Sequence, residues 1–409
     1  MRSFVQPNGV SSPIVEKCGT NSSIVCVNKY AAVLPYPFNR TISVLGKEYD
    51  FRNLSVPSAP SFDLLQNATF VVFDRKRGFE ALGSKPTFEF MFPLANTVHE
   101  APVYVPEQNL LYFSELPPFP LGSPPSAYLR NFVLDLNQEP PLLANFTPNP
   151  PVFAPNGGSY RHGQLLWSSS GAFNASELNG TESRISLNTI DPITHKSTVI
   201  LNNYFGFFFN NINDLAVHPI TGDIFFTDPY YPWSNARTDT APQIPAASYR
   251  FVPETGAVFL IDDTLEEPNG IALSPDGKTL YIAESGALSG TIDSRQPPGT
   301  KAYNTTGHRS IYAFDVSHNG TRISNKRSFY LTQDYIPDGL KVSQEGLVLS
   351  ASGHGLDVFD PSGQLLVRVQ TPHSVANCQF TGKDLKTMWL LGNNGISRVR
   401  WNVTGQTPK

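Results

Sequence analysis

The chain has 409 residues, of which 40% are hydrophobic and 16% charged, with a formal net charge of −4. That length buries a large core, and a small charge with scattered basic residues argues against a nucleic-acid or anionic-membrane surface. No run is long and apolar enough to cross a bilayer and the N-terminus lacks a hydrophobic signal core, so a mature or trimmed form with no membrane partner is expected.

Residues 1–60 carry prolines and two cysteines without a sustained period and are read as an irregular N-terminal arm, with 61–409 forming one domain. Cys18 and Cys26 stand close enough to close a small disulfide loop, whereas Cys378, inside VANCQF, reads as a packed core thiol. Sequons begin at Asn21, Asn39, Asn53, Asn67, Asn145, Asn174, Asn179, Asn304, Asn319 and Asn402. That excess over chance predicts a secreted glycoprotein with surface glycans.

Across the whole chain, 36 prolines, 30 glycines and a lack of long helical periods predict an all-β fold. A hairpin pattern recurs as EAPVYVPEQNLLYFSE from Glu100, NGGSYRHGQLLWSSS from Asn156, NDLAVHPITGDIFFTD from Asn213, PNGIALSPDGKTLYIAES from Pro268 and PDGLKVSQEGLVLSAS from Pro337. An oxygen-bearing residue opens each copy: Glu100, Asn156, Asn213, Asn269 and Asp338, mostly about 56 residues apart. With a last unit from Val375, the reading is a six-bladed β-propeller of four-stranded antiparallel blades. The last unit is one strand short, and the N-terminal FEFMF segment at Phe88 is the expected donor that closes the ring.

In a propeller the openers converge at one channel mouth, beside the loops that join second to third strands. Three of those loops are long, near Leu116 to Ala127, Pro229 to Ala247 and Ser285 to Arg309, and are read as pocket walls. The aromatic runs YFGFFF from Tyr204 and DPYYPW from Asp228, the latter holding Tyr230 and Tyr231, are candidates for an apolar wall, with core packing as the alternative. Glu100, Asn213, Asn269 and Asp338 supply two carboxylates and two amide oxygens, hard donors that suit Ca²⁺ better than zinc or copper. Pro-Asn-Gly and Pro-Asp-Gly also make ordinary tight turns. Their recurrence in register, where Pro275 to Gly277 already makes the hairpin's own turn, favours a metal site.

The signatures HEAPV at His99, PNGG at Pro155, LNNYFGFFFNNIND from Leu201, IPDGL at Ile336 and VANCQFTGKD from Val375 resemble the senescence marker protein, gluconolactonase and luciferin-regenerating enzyme family. Within it they are most similar to secreted fungal lactonohydrolases acting on aldonate and pantoyl lactones. The resemblance implies a six-bladed propeller with one catalytic divalent cation, usually Ca²⁺, on Glu100, Asn213, Asn269 and Asp338. Asn156 then falls near the ion's water shell, with His99, His354, Tyr230 and Tyr231 as further substrate or surrounding candidates.

The reaction expected from the resemblance is metal-assisted hydrolysis of a lactone, with Asp338 orienting or deprotonating water or, alternatively, attacking the carbonyl itself. Competing readings are an aryl- or phosphotriesterase on the same site and a secreted binding propeller without catalysis. No Gly-x-Ser-x-Gly elbow or Gly-rich dinucleotide loop is present.

Overall fold

The protein is described from a computed structural model covering residues 13–19, 23–40, 50–116, 130–171, 184–235, 238, 241–290, 301–317 and 320–408. Its strands form an all-β propeller. In four consecutive segments each repeat of the hairpin pattern becomes the inner half of a four-stranded antiparallel blade. The first blade runs through His99–Val105, Leu110–Glu115, Asn131–Asp135 and Leu142–Phe146; the second through Pro155–Arg161, Gln164–Ser169, Ser186–Ile190 and Ser197–Leu201. The third comprises Leu215–Val217, Ile224–Asp228, Ala247–Val252 and Ala257–Asp262; the fourth Pro268–Leu273, Thr279–Glu284, Ser310–Ser317 and Arg322–Leu331.

Burial falls from the axis outwards. Every residue of His99–Val105 and Pro268–Leu273 is buried, whereas Leu142–Phe146 and Arg322–Leu331 are largely exposed. These inner strands are packed on both faces, so even their polar residues His99, Glu100 and Asn269 are buried.

Closure uses the donor strand expected from sequence. Asn377–Thr381, Thr387–Gly392 and Gly395–Arg400 make three strands of the closing blade, and Thr87–Pro93 supplies the fourth, pairing Phe88 with Val399. Trp389, Leu391 and Ile396 of this blade pack against Tyr104, Leu111 and Phe113 of the first, so the two ends of the chain share one apolar interface.

Six separate four-stranded blades are predicted from the sequence, and five are found. Pro337–Val342, Val348–Ser352, Gly355–Phe359 and Leu365–Gln370 instead belong to a seven-stranded sheet with three N-terminal strands, Phe70–Val72, Ile24–Val27 and Val15–Lys17. The reason lies in LLVRVQ. Unlike the outer strands of the other blades, Leu365–Gln370 is buried at every position, so its outer edge needs a partner, and Phe70–Val72 provides one with Val72 opposite Val367.

The segment expected as an irregular arm is therefore partly regular. Ile24–Val27 lies parallel to Phe70–Val72, and Val15–Lys17 lies antiparallel to Ile24–Val27. Val15, Val25, Val27, Phe62 and Leu65 cover Val71 as a small apolar layer. A short α-helix, Arg75–Leu82, leads from this sheet to the closing strand, and Asp74 caps it by accepting the Arg77 N–H at 3.0 Å.

Cys18 and Cys26 form a disulfide across eight positions, and Cys378 is a free, fully buried thiol within the apolar cluster under the seven-stranded sheet. No helix among the described residues is long and apolar enough to cross a membrane. The loop enclosed by the disulfide is short, so replacing both Cys18 and Cys26 by Ser is expected to destabilise the N-terminal layer by about 2–3 kcal/mol. Limited proteolysis should then cut residues 13–72 sooner, with the main thermal transition of the propeller shifted much less.

Candidate functional site

Register breaks in three inner hairpins fall on the openers. The pairing shifts between Glu100 and Val103, between Pro268 and Ile271, and between Pro337 and Leu340. A bulge of this kind re-aims a side chain out of the regular alternation, and here the re-aimed residues are Glu100, Asn269 and Asp338. Ala101 takes a positive φ of 53° to follow the turn. The glycines after the other openers have a different cause, because neighbouring blades touch there. A Cβ on Gly157 would stand 2.1 Å from the Asn213 carbonyl oxygen, and one on Gly270 would stand 2.1 Å from that of Asp338.

Glu100, Asn156, Asn213, Asn269 and Asp338 all line one cavity of about 560 Å³ at this end of the channel, together with Tyr231 and His354. The four predicted metal donors are thus brought together from four sheets. Hydroxyls at the ends of second strands hold the openers' backbones in place: Ser114 donates to the Pro155 carbonyl at 2.5 Å, Thr227 to Asn269 at 2.6 Å and Ser285 to Pro337 at 2.8 Å. Asn269 Nδ2 donates to Ser285 Oγ at 3.1 Å, which commits the amide nitrogen and leaves Oδ1 as the acceptor. Glu100 Oε2 accepts from Asn377 Nδ2 at 2.9 Å and from the Ala101 N–H at 3.2 Å.

The electrostatics favour a cation. Burial raises the Glu100 pKa well above the usual carboxylate range, and the nearby Asp338 charge adds to the rise. Three acids, Glu100, Asp334 and Asp338, line the cavity, and among its described lining residues there is no lysine or arginine; Asp334 is paired from behind with Arg368. No group of three or more His, Cys, Asp or Glu side chains placed to hold a metal ion is found among the described residues, which disfavours a zinc- or copper-type centre. Two carboxylates and two amides, one oriented through its nitrogen, fit a hard divalent ion of the Ca²⁺ kind.

Other predicted residues sit elsewhere. His99 is fully buried and does not line the cavity: its Nδ1–H donates to the Gly392 carbonyl at 2.8 Å, and Nε2 stands 3.8 Å from Glu115. It ties the first blade to the closing one. Tyr230 is turned away as well, its hydroxyl accepting the Ala246 N–H at 2.7 Å. Of the aromatic runs, Tyr231 reaches the cavity, but Phe205 is 87% exposed on a tight turn and forms no part of the wall. Among residues of the long loops, Leu116, Asn235 and Leu288 line the cavity, while 117–129, 172–183, 236–237, 239–240 and 291–300 lie outside the described residues. Six predicted glycosylation asparagines, Asn39, Asn53, Asn67, Asn145, Asn304 and Asn402, are exposed; Asn21, Asn174, Asn179 and Asn319 lie outside the described residues.

The sequence reading missed Tyr335, which lines the cavity and stacks on Tyr303 at 5.6 Å. It also missed Asp214, whose carboxylate accepts the Leu215 and Ile271 N–H groups at 2.9 and 3.2 Å and so links third and fourth blades below the mouth. The bridging hydroxyls had a readable signal, since Ser or Thr recurs at the end of each second strand in YFSE, LWSS, FFTD, IAES and LSAS.

Fold and cavity define a propeller with a small-molecule site at one channel mouth. The chain belongs to the SMP-30/Gluconolactonase/LRE-like family, whose conserved region matches residues 169–294 and 295–392. That span takes in Asn213, Asn269 and Asp338 but not Glu100 or Asn156. Lactonohydrolase oryL of Aspergillus oryzae is 41% identical over 96% of this chain and 88% of its own length. Lactonohydrolase oryH of the same species is 34% identical over 97% of this chain and 94% of its own. A solved gluconolactonase from Xanthomonas campestris shares the fold with a TM-score of 0.61 at 23% identity, covering 80% of this chain and 93% of that one.

Beneath the rim, His373 donates from Nδ1 to the Ser374 carbonyl at 2.8 Å and accepts the Ser397 hydroxyl at Nε2 at 2.8 Å. Burial is the main reason its pKa falls from 6.5 to about 4. The folded state therefore keeps this ring neutral while the unfolded chain takes up a proton. Its stabilising share is complete above pH about 6.5, declines as the pH falls towards about 4, and loses nothing more below that. Urea unfolding between pH 7 and 4 should show a decline to which this ring contributes at most about 3 kcal/mol, and His373→Gln should remove that share.

Proposed function

We propose that the protein is a calcium-dependent lactonase that hydrolyses the ring ester of aldonolactone-type substrates, of which pantoyl lactone and gluconolactone are examples. The observation that carries this reading is the meeting of Glu100, Asn213, Asn269 and Asp338 in one cavity without a lysine or arginine among its described lining. The names of the Aspergillus oryzae relatives agree with it. A volume of about 560 Å³ is in the range of small-molecule pockets.

Glu100, Asn213, Asn269 and Asp338 would hold Ca²⁺, which when bound supplies Lewis-acid polarisation of a substrate carbonyl and makes water more acidic. Asp338 is only partly buried, so its carboxylate meets both water and substrate. In its proposed role it orients the attacking water and accepts one of its protons. The water oxygen bonds to the carbonyl carbon, the bond from that carbon to the ring oxygen breaks, and the ring oxygen leaves as a hydroxyl after taking a proton. The product is an open hydroxy acid.

Burial raises the phenol pKa values of Tyr231 and Tyr335, with the Asp338 charge contributing to both. Their protons therefore stay in place, and the two phenols are suited to donate hydrogen bonds to substrate oxygens. Tyr231 lies beside Ser285 without a hydrogen bond of normal geometry, which leaves its donor for a ligand.

We also count the inner four strands of the seven-stranded sheet as a sixth blade. This is supported by contacts between successive innermost strands, which run from His99–Val105 through each sheet to Asn377–Thr381 and back to the first. The propeller domain, 61–409, is read as secreted, glycosylated and fungal; exposed sequons and the source of its relatives support this.

In a pH-stat screen of hydroxylated five- and six-membered lactones, ring opening is expected as acid release. Asp338→Asn should lower kcat by about 10²–10⁴-fold while leaving the fold intact by circular dichroism; a variant as fast as wild type would remove Asp338 from the mechanism. Chelation should abolish turnover and lower the thermal midpoint, with added Ca²⁺ restoring both, because an ion bound only by the folded state stabilises it.

A further inference from the structure

One wall of the cavity, Asp334, Gly353 and His354, is held from two directions. From within the seven-stranded sheet comes Arg368, which is fully buried. Its Nη2 donates to Asp334 Oδ2 at 2.6 Å and its Nη1 to Asp357 Oδ1 at 2.9 Å. Asp334 Oδ2 also accepts the His354 N–H at 3.1 Å. The fit is close, because Gly353 has a φ of +51° and a Cβ there would stand 2.2 Å from the same Oδ2.

From the other side come residues that precede the propeller. Asp50, also fully buried, stands 3.8 Å from Arg368 Nη2. Arg52 Nε donates to Asp50 Oδ2 at 2.6 Å, and Arg52 Nη2 donates to the His354 carbonyl at 3.1 Å and the Thr371 carbonyl at 3.2 Å. Arg40 donates to Gln333, the neighbour of Asp334, at its carbonyl and at Oε1. All three residues lie before position 169, where the match to the family region begins.

Arg368, Arg52 and Arg40 thus gather around Asp334, Asp357 and Asp50 in a largely buried cluster. Desolvation makes such a cluster a poor source of net stability, but each charge fixes the direction of its partners, and geometry is what it specifies. The fixed object is the turn at 353–354 together with Asp334, four residues before Asp338. We propose that Arg52, brought in by the N-terminal segment, is a positioning residue for the pocket: through the His354 carbonyl it sets where this wall stands and so how tightly substrate is held. This rests on reading the cavity as the lactone site.

The test compares wild type, Arg52→Ala and Arg52→Lys for lactone turnover and for amide hydrogen exchange at 352–355. Arg52→Ala is expected to raise KM by about tenfold with kcat within about threefold, the signature of lost ground-state binding. The His354 amide should exchange faster, and Arg52→Lys, which can still reach a carbonyl, should recover most of KM. A KM within twofold of wild type in Arg52→Ala overturns the proposal, as does a fall in kcat accompanied by a global loss of protection. Should wild type open no lactone, the function fails on its own account and exchange alone decides: unchanged protection at 352–355 in Arg52→Ala overturns the positioning role.

Discussion

The close approach of neighbouring inner strands at one end of the channel is the constraint from which the site follows. Backbone meets backbone there, so Gly157 and Gly270 have no room for a Cβ. The next sheet's opener is the atom group that would collide, which means that the position of one opener depends on that of its neighbour. Small hydroxyls on Ser114, Thr227 and Ser285 then bond across the same seam. A ring built this way fixes its oxygens relative to each other without any side chain having to span the channel.

The acids at this mouth fall into two groups by what satisfies them. Glu284 accepts the N–H groups of Glu266, Glu267 and Gly286, and Asp228 accepts those of Asn210 and Asn211. Such carboxylates staple loops and have no capacity to spare, although burial still pushes Asp228 up to about 7. Glu100 and Asp338 both line the cavity, where burial first and then the Asp338 charge disfavour ionisation of Glu100. A pair of like charges left facing one another in a low-dielectric mouth is what a bound cation, or a proton, relieves.

The N-terminal segment joins these two themes. Its strands satisfy the outer edge of the seven-stranded sheet, and its charges reach the cavity wall through Asp50 and Arg52. An element that begins as edge protection thereby becomes part of the environment in which a substrate sits.

By itself the sequence determined whatever depends on local period and on tripeptides with a single use. Alternating runs around short turns gave the hairpins, their opener positions gave five of the cavity's polar side chains, and the missing last strand pointed to Phe88. Tertiary structure alone decided what depends on partners distant in the chain. LLVRVQ carries Arg368, whose partners Asp334, Asp357 and Asp50 no local pattern in the sequence announces. His99 is adjacent to Glu100, yet strand alternation and the Gly392 carbonyl take it out of the cavity. Three-residue FVV gives no sign that it extends a sheet assembled some three hundred residues later. Period states which face of a strand is buried; only the packed fold states against what.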